Sequence, residues 1–363
     1  MKILHVVENL NIGGLETVLI NLVTHQVSHN DKCLVICLFS EGVLAERLIN
    51  IGVHVIALHK KNGMDFQVLG RIRQLVTRFV PDVIHTHNAI CNHYVVMATL
   101  FLGHKIINTR HGMGEIHRNV KGELLYKLSI FFTKKCVFVC KSAQIKFEEK
   151  YKIKKDKSVV IYNGIDLTKY DCSLFKKMDS PFKAMTGAAF VIGTVGRLNY
   201  FKDQATLIRA FRLVKKSITN IKLVIVGDGE LRGKLSLLVN QLQLGGDVVF
   251  LGARDDVNLL LCNMDMFVMT SISEGFSIAL IEACAARLPI VTTDVGGNSE
   301  IIHHMTTGLL TRSGDAKNIA DHIITLVNSP ETRKLYADSA HEWVANNATL
   351  EKMCAQYNHT YMS

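Results

Sequence analysis

The chain has 363 residues, of which 48% are hydrophobic and 20% are charged. This composition suffices for a large buried core and excludes a disordered or fibrous protein, while the length favours two domains over one. The chain has 42 Lys and Arg residues but only 32 Asp and Glu residues. This excess of positive charge makes phosphate groups, an anionic membrane surface or a nucleic acid candidate partners. A basic, solvated surface is the alternative explanation of the excess.

The amino terminus, MKILHVVENLNIGG, carries one Lys and a short apolar run that is interrupted at Asn9 and Gly13. We expect a first β-strand here and not a secretion signal. No run reaches the ~18 apolar residues that a membrane-spanning helix needs. The nine Cys residues show no paired Cys-x-x-Cys spacing and most lie in apolar runs, which predicts buried free thiols in a reducing cytosol.

Short apolar runs alternate with helical patterns along the whole chain. In the first half, strands are predicted at 3–7, 33–39, 53–58, 83–87, 105–111, 136–140 and 159–163. After a looser, Lys-containing segment, strands are predicted at 190–195, 222–226, 248–251, 266–270 and 289–293. This alternation is typical of parallel strands with crossover helices. The sequence therefore predicts an α/β protein of two doubly wound, Rossmann-like domains that face each other across a cleft.

The two series of strands suggest where the domains begin and end. We predict an amino-terminal domain over 1–165, a linker over 166–187 and a carboxyl-terminal domain over 188–340. Residues 341–363 have a helical pattern that we expect to pack back towards the amino-terminal domain. Doubly wound sheets bind ligands beyond the carboxyl ends of their strands, so the loops after the strands are where chemistry is expected.

Three loops of the first half carry candidate residues. Gly13 and Gly14 follow the first strand and would let the backbone approach a phosphate closely, although an ordinary glycine turn fits as well. His85 and His87 stand two apart in a predicted strand, but no third ligand accompanies them at a recognisable spacing, so we predict no metal. His111 follows another strand, where a structural histidine is the alternative.

In the second half, the segment TVGRLNYFKD ends a strand and then presents Arg197 and Lys202. Two cations at the carboxyl end of a strand suit a diphosphate, because Arg binds as a planar fork and Lys as a point charge. Solvated positions in a surface loop are the alternative for both.

The stretch TSISEGFSIALIEACAARLPIV places Glu274 and Glu282 eight residues apart. A helix is expected to begin near Ser277, and its free backbone N–H groups at 276–279 would form an anion site. A phosphate repels carboxylates, whereas the vicinal hydroxyls of a sugar donate hydrogen bonds to them. Two acids around one anion site therefore indicate two sugars joined through a diphosphate, with surface acids as the alternative.

These segments, taken in series, resemble a known family. GRLNYFKD, IVGDGELRGKL, FLGARDDV and the stretch from Met264 to Ile302 are similar to the retaining glycosyltransferases of the GT-B fold. That large family includes bacterial mannosyl-, glucosyl- and galactosyltransferases of cell-surface polysaccharides. GGLETVLINL and NGID also match, so the resemblance covers the whole chain, and its E-x7-E signature corresponds to Glu274 and Glu282.

The resemblance implies a role for each candidate residue. It assigns catalysis to Glu274, His111, Arg197 and Lys202. It assigns donor binding to Gly13, Gly14, Arg254, Gly275, Phe276, Ser277, Ile278 and Glu282. In this scheme Glu274 and the following backbone contact the donor sugar, Glu282 holds the ribose diol, and the two cations neutralise the departing diphosphate. The loop around Arg254 borders the nucleobase, and the Gly13 loop closes over the donor.

Two positions depart from the family pattern. Arg287 stands where the family usually has Gly after the helix, and it must therefore accept a position that Gly fills more easily. Ser277 stands where Gly or Pro often follows EGF, at the start of the helix that would face the phosphates.

The resemblance implies an enzyme that moves a hexose from a UDP- or GDP-linked donor to a glycan, lipid-linked or free, with retention of configuration and without a metal or other cofactor. Alternatives are a sugar-nucleotide 2-epimerase, a non-catalytic sugar-nucleotide-binding subunit, and a transferase with a small soluble acceptor. Nucleic-acid binding would explain the positive charge, but aromatic residues are only 7% and no nucleic-acid-binding motif is present.

A last feature concerns location. Basic clusters gather in the first half, at 59–63, 70–78, 133–135 and 152–157, and LLYKLSIFFTKK combines bulky apolar side chains with Lys. Such a helix can lie at a membrane interface. We expect a cytoplasmic protein that is peripheral at the inner face of the cytoplasmic membrane, unless these apolar side chains pack against the sheet instead.

Overall fold

The computed structural model describes residues 1–113, 120–175, 186–187 and 189–363. Its internal contacts divide the chain into two units. The first unit comprises Met1–Gly164 together with Leu350–Ser363, and the second comprises Ile165–Thr349. Among the described residues, no helix is both long and apolar enough to cross a membrane.

The first unit is built on a parallel sheet whose strand residues are mostly buried, as cover on both faces requires. The described strands are β1 (Lys2–Val7), β2 (Lys32–Cys37), β3 (His54–Ala57), β4 (Val83–His87), β5 (Lys105–Arg110), β6 (Lys135–Phe138) and β7 (Ser158–Val160). Their order in the sheet is β3-β2-β1-β4-β5-β6-β7. The order reverses between β1 and β4, which pair directly.

Helices cover both faces of this sheet. They are α1 (Gly14–Ser28), α2 (Ala45–Ile49), α3 (Phe66–Phe79), α4 (Asn88–Thr99), α5 (Val120–Phe132) and α6 (Lys141–Tyr151), and the unit also contains the last helix of the chain, Leu350–Met362. One apolar cluster includes the inward face of α3. A second includes the inward face of α1. The core therefore lies on both sides of the sheet, which is the doubly wound arrangement.

The second unit repeats this plan. Its strands are β8 (Phe190–Val195), β9 (Ile221–Val226), β10 (Val248–Gly252), β11 (Met266–Met269), β12 (Ile290–Thr293) and β13 (Leu309–Thr311), in the order β10-β9-β8-β11-β12-β13. All of the described strand pairs are parallel. The sheet reverses its order between β8 and β11. The predicted fold class, two doubly wound Rossmann-like domains, is confirmed.

The helices of the second unit follow its strands. They are α7 (Cys172–Phe175), α8 (Gln204–Val214), α9 (Arg232–Gln241), α10 (Val257–Leu261), α11 (Ile278–Ala285), α12 (Asn298–Ile301), α13 (Ala316–Asn328) and α14 (Pro330–Asn347). The helix Leu350–Met362 of the first unit is α15.

Arg287, which stands where the family usually has Gly, has the conformation that this departure predicts: its φ is +57°, a left-handed value that Gly adopts more readily. Its Nη1 donates to Asp338 Oδ1 at 2.7 Å.

The unit boundaries differ from the predicted domains in two places. Helix α14 continues through the predicted boundary at 340, so residues 341–349 belong to the second unit and only Leu350–Ser363 belong to the first. The described part of the predicted linker also belongs to the second unit. In this segment Leu167–Tyr170 form a 3₁₀ helix, and a disulfide joins Cys172 to Cys262 of the same unit. The remainder of the predicted linker, 176–185, lies outside the described residues.

The prediction that the cysteines are free thiols needs correction at one pair. Cys172 and Cys262 form a disulfide across 90 residues of sequence, with their Cα atoms 5.1 Å apart. Sequence reasoning missed the pair because neither residue has a nearby Cys at a recognisable spacing. The other seven cysteines are free, and six of them are buried.

Two glycines allow the loops after β8 and β9 to pack closely. Gly227 has φ of +129°, and a Cβ there would lie 2.0 Å from the carbonyl oxygen of Gly196. Gly229 has φ of +159°, and a Cβ there would lie 2.5 Å from the carbonyl oxygen of Leu198. Both obstacles are backbone atoms that cannot rotate away. The backbone of GDGEL therefore lies directly against the loop that carries Arg197.

We expect Gly227→Ala to destabilise the protein by at least about 2 kcal/mol, because the new Cβ meets backbone and the residue must keep a strained φ. Gly233 in α9 is the matched control, since nothing lies within 4 Å of a Cβ placed there. Gly233→Ala should instead raise stability by about 0.5 kcal/mol. Urea unfolding of both variants measures the difference, and equal midpoints would contradict the packing described.

Candidate functional site

The best-organised polar site of the second unit lies where its sheet reverses strand order. Lys202 follows β8 and Glu274 follows β11, and these two strands are neighbours. Lys202 Nζ lies 2.5 Å from Glu274 Oε1, and Ser271 Oγ donates to the same oxygen at 2.5 Å. Side-chain exposure is 23% for the Lys and 10% for the Glu, so the ion pair is largely withdrawn from solvent.

Hydrogen bonds join the two loops that carry this pair. The backbone N–H of Ile272 donates to the carbonyl of Phe201 at 2.8 Å, and Thr270 Oγ1 donates to the carbonyl of Asp203 at 2.8 Å. Thr293 Oγ1 donates to the carbonyl of Ser271 at 2.6 Å from the next strand. The Lys and Glu side chains are therefore held by backbone that is fixed at several points.

Helix α11 begins four residues after Glu274. Ser277 is its N-cap residue in extended conformation, but its hydroxyl makes no capping hydrogen bond, so the helix start is not closed by that side chain. Phe276 is buried beside it, and the carbonyl of Gly275 accepts a hydrogen bond from the N–H of Gly297 at 2.8 Å. Ile278 is the first helical residue. This helix start, with the positive end of its dipole, suits an anion.

The two arginines that the sequence assigned to the donor site, Arg197 and Arg254, pair with carboxylates at the surface. Arg197 Nε is 3.6 Å from Glu230 Oε2, and both side chains are more than half exposed. Arg254 donates twice to Asp256, from Nε at 2.8 Å and from Nη2 at 2.7 Å. Such exposed ion pairs cost little to break, so both guanidinium groups can turn towards another anion.

Glu282 lies in the second turn of α11 and accepts a hydrogen bond from the hydroxyl of Tyr170 at 2.6 Å. Burial of the carboxyl raises the pKa of Glu282 to about 7, and the Tyr170 hydrogen bond lowers it in part. Burial and the Glu282 charge raise the pKa of Tyr170, so the phenol stays protonated and donates. Sequence reasoning missed Tyr170 because it lies in the predicted linker.

In the first unit, Gly13 and Gly14 lie at the start of α1, beyond β1. Gly13 is the N-cap residue in extended conformation, and Gly14 is the first helical residue. A Cβ at Gly13 would lie 2.3 Å from Glu16 Oε2, so the space beside it is already filled by a carboxylate. His111 follows β5 and is half-buried. Its Nε2 lies 2.9 Å from His87 Nδ1.

A cluster of buried histidines adjoins His111. His5 on β1 pairs in register with His85 on β4, and His87 lies two residues along the same strand. One ring nitrogen from each of these three histidines lies within 4.8 Å of the other two, a spacing that would allow all three to bind one cation. His5 is therefore the third candidate ligand that the sequence pattern did not reveal. A histidine inside the apolar run ILHVV is the signal that was available.

The hydrogen bonds of this cluster compete with a cation. His85 Nδ1 lies 2.7 Å from the hydroxyl of Tyr361, and His85 Nε2 lies 2.7 Å from Thr109 Oγ1. A cation would have to displace one of these partners. Burial lowers the pKa of His5 to about 4 and holds the pKa values of His85 and His87 well below the usual range, so the rings are neutral at pH 7.

Comparison with solved structures defines the fold. The chain superimposes on the crystal structure of Anabaena HepE in complex with UDP with a TM-score of 0.87, covering 99% of both chains at 21% identity. The same Anabaena protein in complex with UDP-glucose gives a TM-score of 0.87 at 22% identity. The two Rossmann-like units therefore have the GT-B fold of glycosyltransferases.

Two family models match consecutive parts of the chain. Residues 12–169 match the model described as Glycosyltransferase Family 4, and residues 179–343 match the model described as Glycosyl transferases group 1. Each match covers a little less than half of the chain, and each half is therefore similar to a family of glycosyltransferases.

Two curated relatives extend this comparison. The N-acetyl-alpha-D-glucosaminyl L-malate synthase of Bacillus anthracis is 28% identical over 306 residues, covering 82% of this chain and 78% of the relative. The UDP-Gal:alpha-D-GlcNAc-diphosphoundecaprenol alpha-1,3-galactosyltransferase of Escherichia coli is 27% identical over 279 residues, covering 73% of this chain and 71% of the relative. The first name implies a small acceptor and the second a lipid-linked one.

The raised pKa of Glu282 predicts a pH-dependent stability. Its pKa rises on folding, so the folded state holds this proton more tightly, and the resulting stability is lost as pH rises through about 7. The loss should be on the order of 2 kcal/mol after partial solvent screening. Glu282→Gln cannot ionise and should lack this component. Chemical unfolding of both proteins from pH 5 to 8 measures it, and parallel pH profiles would contradict the assignment.

Proposed function

We propose that this protein is a retaining hexosyltransferase that transfers a hexose from a nucleoside diphosphate to a hydroxyl of a glycan acceptor, without a metal or other cofactor. The observation that carries the proposal is the Lys202–Glu274 ion pair, which lies at the strand-order reversal of the second unit beside the start of α11. A cation, a carboxylate and a helix start in one place suit a diphosphate attached to a sugar.

The geometry of the pair leaves atoms available to a substrate. An ammonium group has three donors, so Lys202 can contact Glu274 and still donate to a phosphate oxygen. Both described hydrogen bonds to Glu274 end on Oε1, and Oε2 is therefore the oxygen that we assign to a hydroxyl of the donor sugar. Arg197, in its weak surface ion pair, is the second cation that we assign to the diphosphate.

The proposed reaction breaks the bond between C1 of the sugar and the oxygen of the diphosphate. A bond between C1 and the acceptor oxygen forms on the same face, and the acceptor proton passes to the departing diphosphate. Negative charge grows on that diphosphate, which Lys202, Arg197 and the start of α11 stabilise. Positioning and charge stabilisation are then the main contributions of the protein.

We assign the ribose of the donor nucleotide to Glu282. Its carboxyl is held by Tyr170, which uses one oxygen and leaves the other to accept from a vicinal diol. Arg254 would border the nucleobase after leaving its exposed pair with Asp256. Uridine is the base that we propose, since HepE was solved with UDP and UDP-glucose and the E. coli relative is named for UDP-Gal.

Lys202→Met tests the proposed reaction most directly, because it removes the charge and keeps the apolar stem. We expect turnover to fall by about 10²–10³, which is typical of losing one group that stabilises the departing charge. Release of nucleoside diphosphate from a panel of UDP- and GDP-sugars, with and without acceptor, measures this. The wild-type activity should persist in excess EDTA, and the product should keep the anomeric configuration of the donor.

Lys222→Met is the matched control. Lys222 is also 23% exposed and pairs with a carboxylate, Asp247, at 3.0 Å, but it lies at the amino end of β9 and not at the carboxyl ends of the strands. Its loss should affect folding stability and leave turnover per folded molecule within threefold of wild type. If both variants lose the same activity, or if neither does, Lys202 has no special role.

We propose further that the acceptor is lipid-linked and that the first unit binds the cytoplasmic face of a membrane. One surface of α5 carries four exposed apolar side chains: Leu124 (58% exposed), Leu128 (58%), Phe131 (78%) and Phe132 (53%). These residues do not pack against the sheet, unlike Tyr126 and Ile130 of the same helix. We call these four residues the α5 apolar surface.

Lysines surround the α5 apolar surface and suit an anionic lipid. Lys121, Lys127 and Lys134 are exposed on or just after the same helix. Lys157 donates to the carbonyl of Phe131 at 2.9 Å, with its ammonium 5.8 Å from the ring centre. Each cation near such a surface adds about 1 kcal/mol of attraction. An anionic bilayer is therefore the partner whose chemistry matches both the apolar and the charged side chains.

Vesicle flotation tests this surface. The protein should bind phosphatidylglycerol vesicles at low salt and dissociate from them at high salt. It should not bind phosphatidylcholine vesicles. The double variant Phe131→Ser/Phe132→Ser should lower the bound fraction about tenfold, because each Phe contributes roughly 1.5–3 kcal/mol when fully buried and less at an interface.

Phe66→Ser serves as the control for that variant, because Phe66 is 75% exposed on a different helix of the same unit. It should bind vesicles like the wild type. Absence of binding to either vesicle type at low salt would remove the membrane proposal and favour a soluble acceptor.

A further inference from the structure

Two buried histidines of the first unit, His5 and His87, form one continuous hydrogen-bonded chain with Gln26 and His111. His111 Nε2 lies 2.9 Å from His87 Nδ1, His87 Nε2 lies 3.3 Å from His5 Nδ1, and His5 Nε2 lies 2.9 Å from Gln26 Oε1. A neutral imidazole has one N–H and one bare nitrogen. The position of the hydrogen at one end of such a chain therefore decides its position in every ring.

The amide of Gln26 is oriented by its other partners. Its Oε1 accepts from His5 and also from the thiol of Cys33 at 3.4 Å, whereas its Nε2 donates to the hydroxyl of Tyr361 at 3.4 Å. A carbonyl oxygen can only accept, so His5 carries its hydrogen on Nε2. Its Nδ1 is then bare.

The same reasoning passes along the chain one ring at a time. Bare His5 Nδ1 requires a hydrogen on His87 Nε2, which leaves His87 Nδ1 bare. That nitrogen requires a hydrogen on His111 Nε2, which leaves His111 Nδ1 as the bare, accepting nitrogen. Among the described residues His111 Nδ1 has no hydrogen-bond partner although it is buried. A buried acceptor without a partner is costly, and a bound hydroxyl would satisfy it.

Neutral rings are required for this argument, and burial supplies them. It lowers the pKa of His5 to about 4 and, together with the charge of Arg110, the pKa of His111 to about 3. His85 forms a side branch. Its two nitrogens bond to Tyr361 and Thr109 and not to the ring of His5, His87 or His111, although the Tyr361 hydroxyl also accepts from Gln26 Nε2.

We propose that Gln26, His5 and His87 are positioning residues that hold His111 in the Nε2–H tautomer, so that its Nδ1 accepts a hydrogen bond from a hydroxyl of the sugar substrate. The assignment of the hydroxyl rests on the proposed function, whereas the tautomer follows from the hydrogen-bond chain alone. In the opposite tautomer this position would present an N–H, which cannot accept from a hydroxyl.

Nitrogen-15 NMR of protein labelled at histidine tests the tautomer without any substrate, since protonated and bare ring nitrogens differ in chemical shift. In the wild type, Nδ1 of His5, His87 and His111 should all be bare. His87→Ala removes the link, so His111 should become a mixture of both tautomers. His87→Gln retains one donor and one acceptor and should restore the single tautomer.

Thr109→Val is the matched control, because Thr109 is fully buried but bonds to His85 and Tyr357 and not to the chain that ends at His111. It should lower thermal stability and leave the His111 tautomer unchanged. In the transfer assay, His87→Ala should reduce kcat about tenfold more than Thr109→Val does, and His87→Gln should recover most of that loss.

Several results would overturn the inference. These are an Nδ1–H tautomer of His111 in the wild type, an unchanged His111 in His87→Ala, or a metal bound by the histidines of the purified protein in elemental analysis. If the tautomers are as expected and no nucleotide sugar is turned over, the hydrogen-bond chain stands and the proposed function fails.

Discussion

The constraint on which both units depend is the reversal of strand order in a doubly wound parallel sheet. Crossover helices leave opposite faces of the sheet on the two sides of the reversal, so the loops there diverge and leave space at the carboxyl ends of the strands. In the second unit this point brings Lys202 beside Glu274. In the first unit it brings β1 beside β4 and hence His5 beside His85. The same backbone topology thus assembles a charged cluster in one unit and a neutral polar cluster in the other.

The charged cluster of the second unit and the histidine cluster of the first unit differ in what stabilises their buried polar groups. Lys202 and Glu274 form an ion pair at short distance, and the hydroxyl of Ser271 adds a further donor to the carboxylate. The histidines remain neutral because no opposite charge in the described part of the chain compensates their burial, and every shared hydrogen bond then needs a matched donor and acceptor. Glu282 is intermediate, since Tyr170 compensates its charge only in part.

The sequence predicts the repeated elements well and the individual contacts less well. Long apolar runs predict most strands because a parallel strand is buried on both faces, but β13 has three residues and gives too little periodicity to detect. Glu274 and Lys202 are predictable because both follow strands. Tyr170, His5 and the Cys172–Cys262 bond are not, because each depends on residues brought together from distant segments. The φ of Arg287 is predictable, in contrast, because the residue just after a helix commonly adopts a left-handed conformation whatever the distant parts of the chain do.

The first unit is discontinuous in sequence, and this affects how the protein is made. Residues 1–164 leave the ribosome early, but Tyr357 and Tyr361 arrive last and contact Thr109, His85 and Gln26. During synthesis the histidine cluster must therefore stay uncovered until the final helix emerges, after the entire second unit. A chain truncated before Leu350 would consequently lack the helix that covers the polar core of its first unit, while its second unit is intact.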